Sequence, residues 1–137
     1  RLAMNLAPLP KPETEPFIML QPARNAAVVR WIAKNSKRPM NASQLWAELF
    51  TAAHPSTGDI LLTRAELAAR LGLEPRTISE LMTELAGINA ITRRKEGRRV
   101  IYAMNPNVAT HIAGPEARKA ARDAAGPLLT LMEGGKT

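Results

Sequence analysis

The chain has 137 residues, 45% of them hydrophobic and only 4% aromatic, with a formal net charge of +7 at neutral pH. That is enough apolar material for one packed domain, which excludes disorder throughout, and too few aromatic rings for a platform that stacks single-stranded bases. Cysteine is absent, removing disulfides, thiolate metal sites and cysteine nucleophiles together.

Residues 1–16 hold Pro8, Pro10, Pro12 and Pro16 among small and charged residues, a density that forbids regular helix and predicts an extended arm. The body is expected over 17–133, with the apolar Phe17–Leu20 anchoring the arm to it. A helix is predicted from Gln21 or Pro22 to about Asn35, with Val28, Val29, Ile32 and Ala33 in the core and Trp31 covering either the core's side or a partner. Lys34, Lys37 and Arg38 lie in or beside a loop before Pro39. They either graze a phosphate or act as cations at the negative end of that helix. Asn41 and Gln44 form a cap-like N-x-x-Q pair ahead of Leu45, Trp46, Leu49 and Phe50, predicting a helix over 42–53 and a loop over His54–Gly58.

Ile60–Leu62 reads as a short apolar strand, and a helix-turn-helix follows over 63–87. Thr63 and Glu66 make a T-x-x-E capping box. Leu67, Ala68 and Leu71 give one apolar stripe, Gly72 suits a left-handed helix end, and Leu73 plugs the angle of the turn. Pro75 belongs in the first turn of the next helix, where its missing N–H costs nothing. There Ile78, Leu81, Met82 and Leu85 follow the i, i+3, i+4, i+7 pattern of a core face. The opposite face carries Arg76, Thr77, Ser79, Glu80 and Thr83, short polar groups and one Arg that leave the helix slender enough for a groove. Arg76, Ser79 and Glu80 are the first candidates for base edges, since Arg pairs with guanine and Glu accepts from cytosine. Thr77 is expected to reach a base or a phosphate, and Thr63 and Arg64, at the start of the unit, to touch DNA as well.

A hairpin over 90–105 completes the unit, with strands at Ala90–Thr92 and Val100–Met104. Between them Arg93, Arg94, Lys95, Arg98 and Arg99 face the single Glu96, and Gly97 permits the positive φ of a tight reversal. Five crowded cations repel one another, so the isolated fold gains little from them; opposite phosphates they become favourable.

Asn105-Pro106-Asn107 ends the hairpin. A helical extension is predicted over 115–133, kinked or split at Gly126-Pro127, with Ala117, Ala120, Ala121, Ala124 and Leu128 available for one side. That side packs either on a second copy, making a homodimer, or on its own domain; Gly134 and Gly135 mark a frayed end. The expected fold is therefore mainly α with a small β-hairpin, a winged helix-turn-helix with extra helices at both ends.

Catalytic signals are missing. His54 and His111 have no second ligand at metal spacing, and the phosphate loop, the G-x-S-x-G elbow and the H-E-x-x-H pair are all absent. The expectation is a non-enzyme that needs neither metal nor cofactor. No run approaches the ~20 apolar residues that span a bilayer, and no secretory leader is read, although a start at Arg1 without Met leaves room for an upstream part. A cytoplasmic protein without membrane contact is expected, whose partner is double-stranded DNA.

From Leu62 to about Leu129 the chain resembles the RepL-type plasmid replication proteins. The pieces that carry the likeness are TRAELAARLGLEPRTIS, then VIYAMNPNVA, then GPEARKAARDAAGPLL. The first is shared with many repressors, MarR-like and ArsR-like among them; the Asn-Pro turn followed by a basic helix is more particular. The hairpin here is longer and more basic than in that family, and residues 36–58 look inserted. The resemblance covers about half the chain and implies replication initiation or copy control at an origin, with recruitment of host replication machinery. The competing expectation is a repressor that holds an operator as a dimer.

Overall fold

The computed structural model describes residues 18–130. The proline-rich arm, Phe17, the stretch expected to be helical over 131–133 and the glycine tail lie outside the described residues. The chain runs β1 (Met19–Leu20), α1 (Pro22–Asn35), α2 (Pro39–Ala52), α3 (Arg64–Leu71), α4 (Pro75–Gly87), β2 (Ile91–Glu96), β3 (Arg99–Met104), β4 (Ala109–Thr110) and α5 (Pro115–Ala125). Helix predominates, and the strands form two antiparallel pairs, β1 with β4 and β2 with β3.

α1 starts as the sequence predicts, with Gln21 Oε1 accepting from the Arg24 N–H at 2.9 Å and Pro22 leading the helix. Its inner face differs from expectation. Ala27, Val28 and Ile32 are buried, while Val29 and Ala33 face solvent. The rotation follows from the packing on α2, where Asn25 Oδ1 accepts the indole N–H of buried Trp46 at 2.7 Å. Trp46 in turn meets Phe50 edge-on at 5.0 Å. Trp31 is half-buried against the same core.

α2 begins at Pro39, so Asn41 and Gln44 lie inside the helix and do not cap it. Two start signals compete over six residues, and the proline, whose ring presets φ for a first helical position, prevails. Beyond α2, the strand expected at Ile60–Leu62 shrinks to single bridges, Ala53 with Ile60 and Asp59 with Ala103. The Ile60 N–H donates to Tyr102 O and the Met104 N–H to Gly58 O, both at 2.8 Å, so residues 58–60 lie along the free edge of β3. Leu61 then gives its N–H to Ala52 O at 2.9 Å, which turns the chain off the sheet.

α4 buries Ile78, Leu81, Met82 and Leu85 as the pattern demands. They join α1, α2, α3, the root of β2–β3, Val108 and Leu128 in one hydrophobic cluster. Each such side chain contributes about 1.5–3 kcal/mol, against about 0–1 kcal/mol for a surface ion pair. Core burial therefore sets which face of α4 looks outward.

β2 and β3 are longer than expected. Six residue pairs run from Ile91–Met104 to Glu96–Arg99, so the ladder passes through the basic run and leaves a two-residue turn at Gly97 and Arg98. Gly97 takes φ 64°, the positive value that such a turn favours at its first central position. Arg93, Arg94, Lys95 and Arg99 are consequently strand residues, and Arg98 sits at the turn.

α5 stops at Ala125 and does not continue past Gly126-Pro127, because Gly126 adopts φ 82° and proline follows. No residue of α5 is buried; Leu128, beyond its end, enters the core instead. Asparagine amides hold the helix by its C-terminal carbonyls. Asn89 Nδ2 donates to Ala125 O at 2.8 Å, and Asn107 Nδ2 to Arg122 O at 2.9 Å and Gly126 O at 2.8 Å. Fully buried Asn105 donates from Nδ2 to Asn89 O at 2.7 Å and Gly126 O at 3.1 Å, and its Oδ1 accepts from the Asn107 N–H at 2.9 Å. Asn105→Ala strips the partners of the half-buried Asn89 carbonyl and Asn107 N–H and leaves a cavity in their place, so it should cost about 2–4 kcal/mol. Urea denaturation checks this: a midpoint unchanged from the parent chain would show that the amide network is dispensable.

Candidate nucleic-acid interface

The α3–α4 junction is built by local chemistry. Thr63 Oγ1 accepts from the Glu66 N–H at 3.0 Å while the Glu66 carboxylate accepts from the Thr63 N–H at 2.8 Å, completing the capping box. Gly72 ends α3 at φ 67°, and the Leu73 N–H returns to Ala68 O at 3.0 Å. Pro75 then opens α4, whose outer ridge consists of Arg76, Glu80 and Thr83. The Arg76 side chain is 90% exposed and lies 3.6 Å from the half-exposed Glu80 carboxylate, one turn away.

The remaining residues expected on this face divide. Ser79 is half-buried, and its hydroxyl accepts from Arg64 Nη1 at 2.9 Å, so the first residue of α3 reaches across to α4. Thr77 is buried, contrary to expectation. At about 100° per residue it stands close to Leu81 on the helix circumference, and the core stripe is wide enough to take it in. It is withdrawn from the contact surface. Thr83 is exposed, its hydroxyl donating to Ser79 O at 2.9 Å.

The hairpin's five cations also separate. Arg94 forms a two-pronged pair with Asp59 at 2.8 and 2.9 Å and meets Glu96 at 3.0 Å. It is neutralised within the protein and leaves the set of cations free for an external anion. Its hydrogen bonds hold the Asp59 carboxyl below the usual aspartate value, while Asp59 and Glu96 push the guanidinium above its own. Arg93, Lys95, Arg98 and Arg99 are exposed and make no ion pair among the described residues. Register places Arg93 and Lys95 on one side of the hairpin with Tyr102 and Val100, and Arg99 on the other with Glu96.

Between α4 and the hairpin lies a cleft of about 360 Å³, with Arg64, Ser79, Met82, Arg99 and Tyr102 in its walls. Ridge, cleft and hairpin are contiguous. The described residues hold no cluster of metal-ligating side chains. His54 Nδ1 accepts from the Ser56 N–H at 3.0 Å. Burial pushes the His111 imidazole down from its ordinary value, and its Nδ1 has no hydrogen-bond partner among the described residues.

Two participants escape a sequence reading. Asp59 lies 35 positions from Arg94, and nothing in the intervening letters signals the pair. Glu84 of α4 accepts from the Ser36 hydroxyl at 2.6 Å and the Lys37 N–H at 3.1 Å, tying the α1–α2 loop to α4. No protein family, curated protein or solved structure matches the chain in comparisons of sequence and fold.

The Asp59–Arg94 pair has a pH signature. A depressed carboxyl contributes stability above the ordinary aspartate value of 3.8 and loses it as pH falls through the lower value of the folded state. Asp59→Asn should therefore weaken the protein at neutral pH and flatten the acid limb of its stability–pH curve, measured by chemical denaturation. An acid limb as steep as the parent's would mean that the pair adds nothing.

Proposed function

We propose that this chain binds double-stranded DNA, with α4 in the major groove and the β2–β3 hairpin along the neighbouring backbone, as a winged helix-turn-helix does. One observation carries the reading: a polar ridge without bulky apolar groups stands beside four hairpin cations that have no internal partner among the described residues. A helix with its side chains, about 10–12 Å across, matches a groove about 12 Å wide. On this reading Arg76, Glu80 and Ser79 address base edges, with Arg64 steadying Ser79, while Arg93, Lys95, Arg98 and Arg99 displace counterions from phosphates. Binding alone does the work, and the reading calls for no catalysis, metal or cofactor.

Within that function we assign the chain to plasmid replication, at an origin whose repeated sites it occupies while host machinery is recruited. The support is the resemblance of Leu62–Leu129 to RepL-type proteins, above all the Asn105-Pro106-Asn107 turn and the basic helix after it. A second reading, an operator-bound repressor dimer, draws on α5, where Ala117, Ala120 and Ala124 are exposed and leave a face for another copy. Footprints separate the two: direct repeats fit an initiator, inverted half-sites a symmetric dimer.

Arg76→Ala should lose about 1–3 kcal/mol on the preferred duplex and relax its sequence preference; an equal loss on random duplex would move Arg76 to a phosphate. Replacing Arg93, Lys95, Arg98 and Arg99 by Gln together should weaken every duplex and lower the slope of log K against log salt by about 3–4. An unchanged slope would take the hairpin off the DNA.

A further inference from the structure

The two edges of α4 face different neighbours. At about 100° per residue, Ser79 and Ala86 form one edge of the exposed ridge, and Thr77 and Glu84 the other. Ser79 borders the cleft shared with Arg99 and Tyr102, so the hairpin stands on the first edge. On the second edge Glu84 holds the α1–α2 loop through the Ser36 hydroxyl and the Lys37 N–H. The loop is itself pinned, with Ser36 Oγ accepting from the Arg38 N–H at 3.1 Å. Lys37 and Arg38 are exposed and have no ion pair among the described residues.

The three cations of this region differ in their surroundings. Lys34, in the last turn of α1, sits at the negative end of a helix dipole and is accounted for there. Lys37 and Arg38 stand instead at the start of α2, the positive end of its dipole, and no acidic residue in its first turn offsets them. Glu84 is engaged by the Ser36 hydroxyl and the Lys37 N–H, so the loop is anchored to the flank of α4 while the charged ends of Lys37 and Arg38 stay without an ion pair among the described residues.

We infer that the loop carrying Lys37 and Arg38 is a second phosphate-binding element, gripping the backbone across the groove from the hairpin, with Glu84 as its positioning residue. The inference rests on the DNA reading above and extends it. A helix lying in the major groove has a phosphate strand on each side. The hairpin meets one strand and this loop the other. Lys37 and Arg38 set strength and docking angle, while sequence choice stays with the α4 ridge.

The test is duplex titration of the full chain at several salt concentrations, with Lys37→Gln/Arg38→Gln compared with the parent and with the four-residue hairpin variant. The loop variant should lower the log K–log salt slope by about two, so that between 50 and 200 mM salt it loses about tenfold less affinity than the parent. Its ranking of duplex sequences should be unchanged, and its melting temperature no lower. Glu84→Ala should weaken binding, and the triple variant should be no weaker than the double, since an unanchored loop and a discharged one fail by the same route. A parental slope in the loop variant, with a reduced slope in the hairpin variant, overturns the inference and leaves the DNA reading standing. Additive losses in the triple variant overturn the role of Glu84. If the parent chain binds no duplex at low salt, both readings fall.

Discussion

Asn105 has no solvent exposure, and every polar atom of its side chain is used. Its backbone is engaged too: the N–H reaches Ala90 O at 3.2 Å, and the carbonyl accepts from the Val108 N–H at 2.9 Å and the Ala109 N–H at 3.1 Å. One residue thus joins the exit from α4, the root of the hairpin, the strand that closes on β1, and the end of α5. A buried amide confers this only when every bond is made, because each unmade one carries the full desolvation penalty. The angle at which the hairpin leaves the core, and so where its cations stand beside α4, is inherited from this junction. An aliphatic side chain of similar size would fill the space but leave Asn89 O without its donor and the Asn107 N–H without its acceptor.

The basic residues follow a division of labour. Arg94 braces the hairpin against the loop before α3 through Asp59 and is saturated by its own protein. Arg93, Lys95, Arg98 and Arg99, like Lys37 and Arg38 on the other flank, are left without a counter-charge among the described residues. Net charge alone does not distinguish these roles, since a bracing arginine and a solvent-facing one count the same. The distinction lies in which carboxylates stand within reach: Arg94 and Arg99 share a strand face, yet only Arg94 meets Asp59 and Glu96.

Local features were readable from the letters. The Thr63–Glu66 box, the left-handed Gly72, Pro75 at a helix start and the buried stripe of α4 each depend on residues within a few positions of one another. The break at Gly126-Pro127 and the tight turn at Gly97 belong to the same class. What was not readable depends on distant partners. The rotation of α1 is set by an Asn25–Trp46 bond, the burial of Thr77 by the width of the core beneath α4, and the withdrawal of Arg94 by Asp59. The N-x-x-Q motif misled because a proline two residues earlier offered an equally good start. Of the residues expected to contact DNA, only Thr77 and Arg94 change status on structural grounds. Thr77 was placed by periodicity, which is least reliable at the margin of a stripe, and Arg94 by membership of a charge run, which does not say which cation a distant carboxylate will take.

The manner in which α5 is attached affects how its sequence can vary. Its grip on the protein runs through backbone carbonyls received by Asn89 and Asn107, through Arg118 and Arg122, which donate to Ile112 O and Pro106 O, and through Leu128 just past its end. Carbonyls are common to all amino acids, so apart from Arg118 and Arg122 the identities of its side chains hardly enter the stability of the molecule. Selection can therefore redraw the surface of this helix across lineages while the asparagines that receive it stay constant. A family tree of such proteins would diverge fastest on the helix and slowest at its clasp.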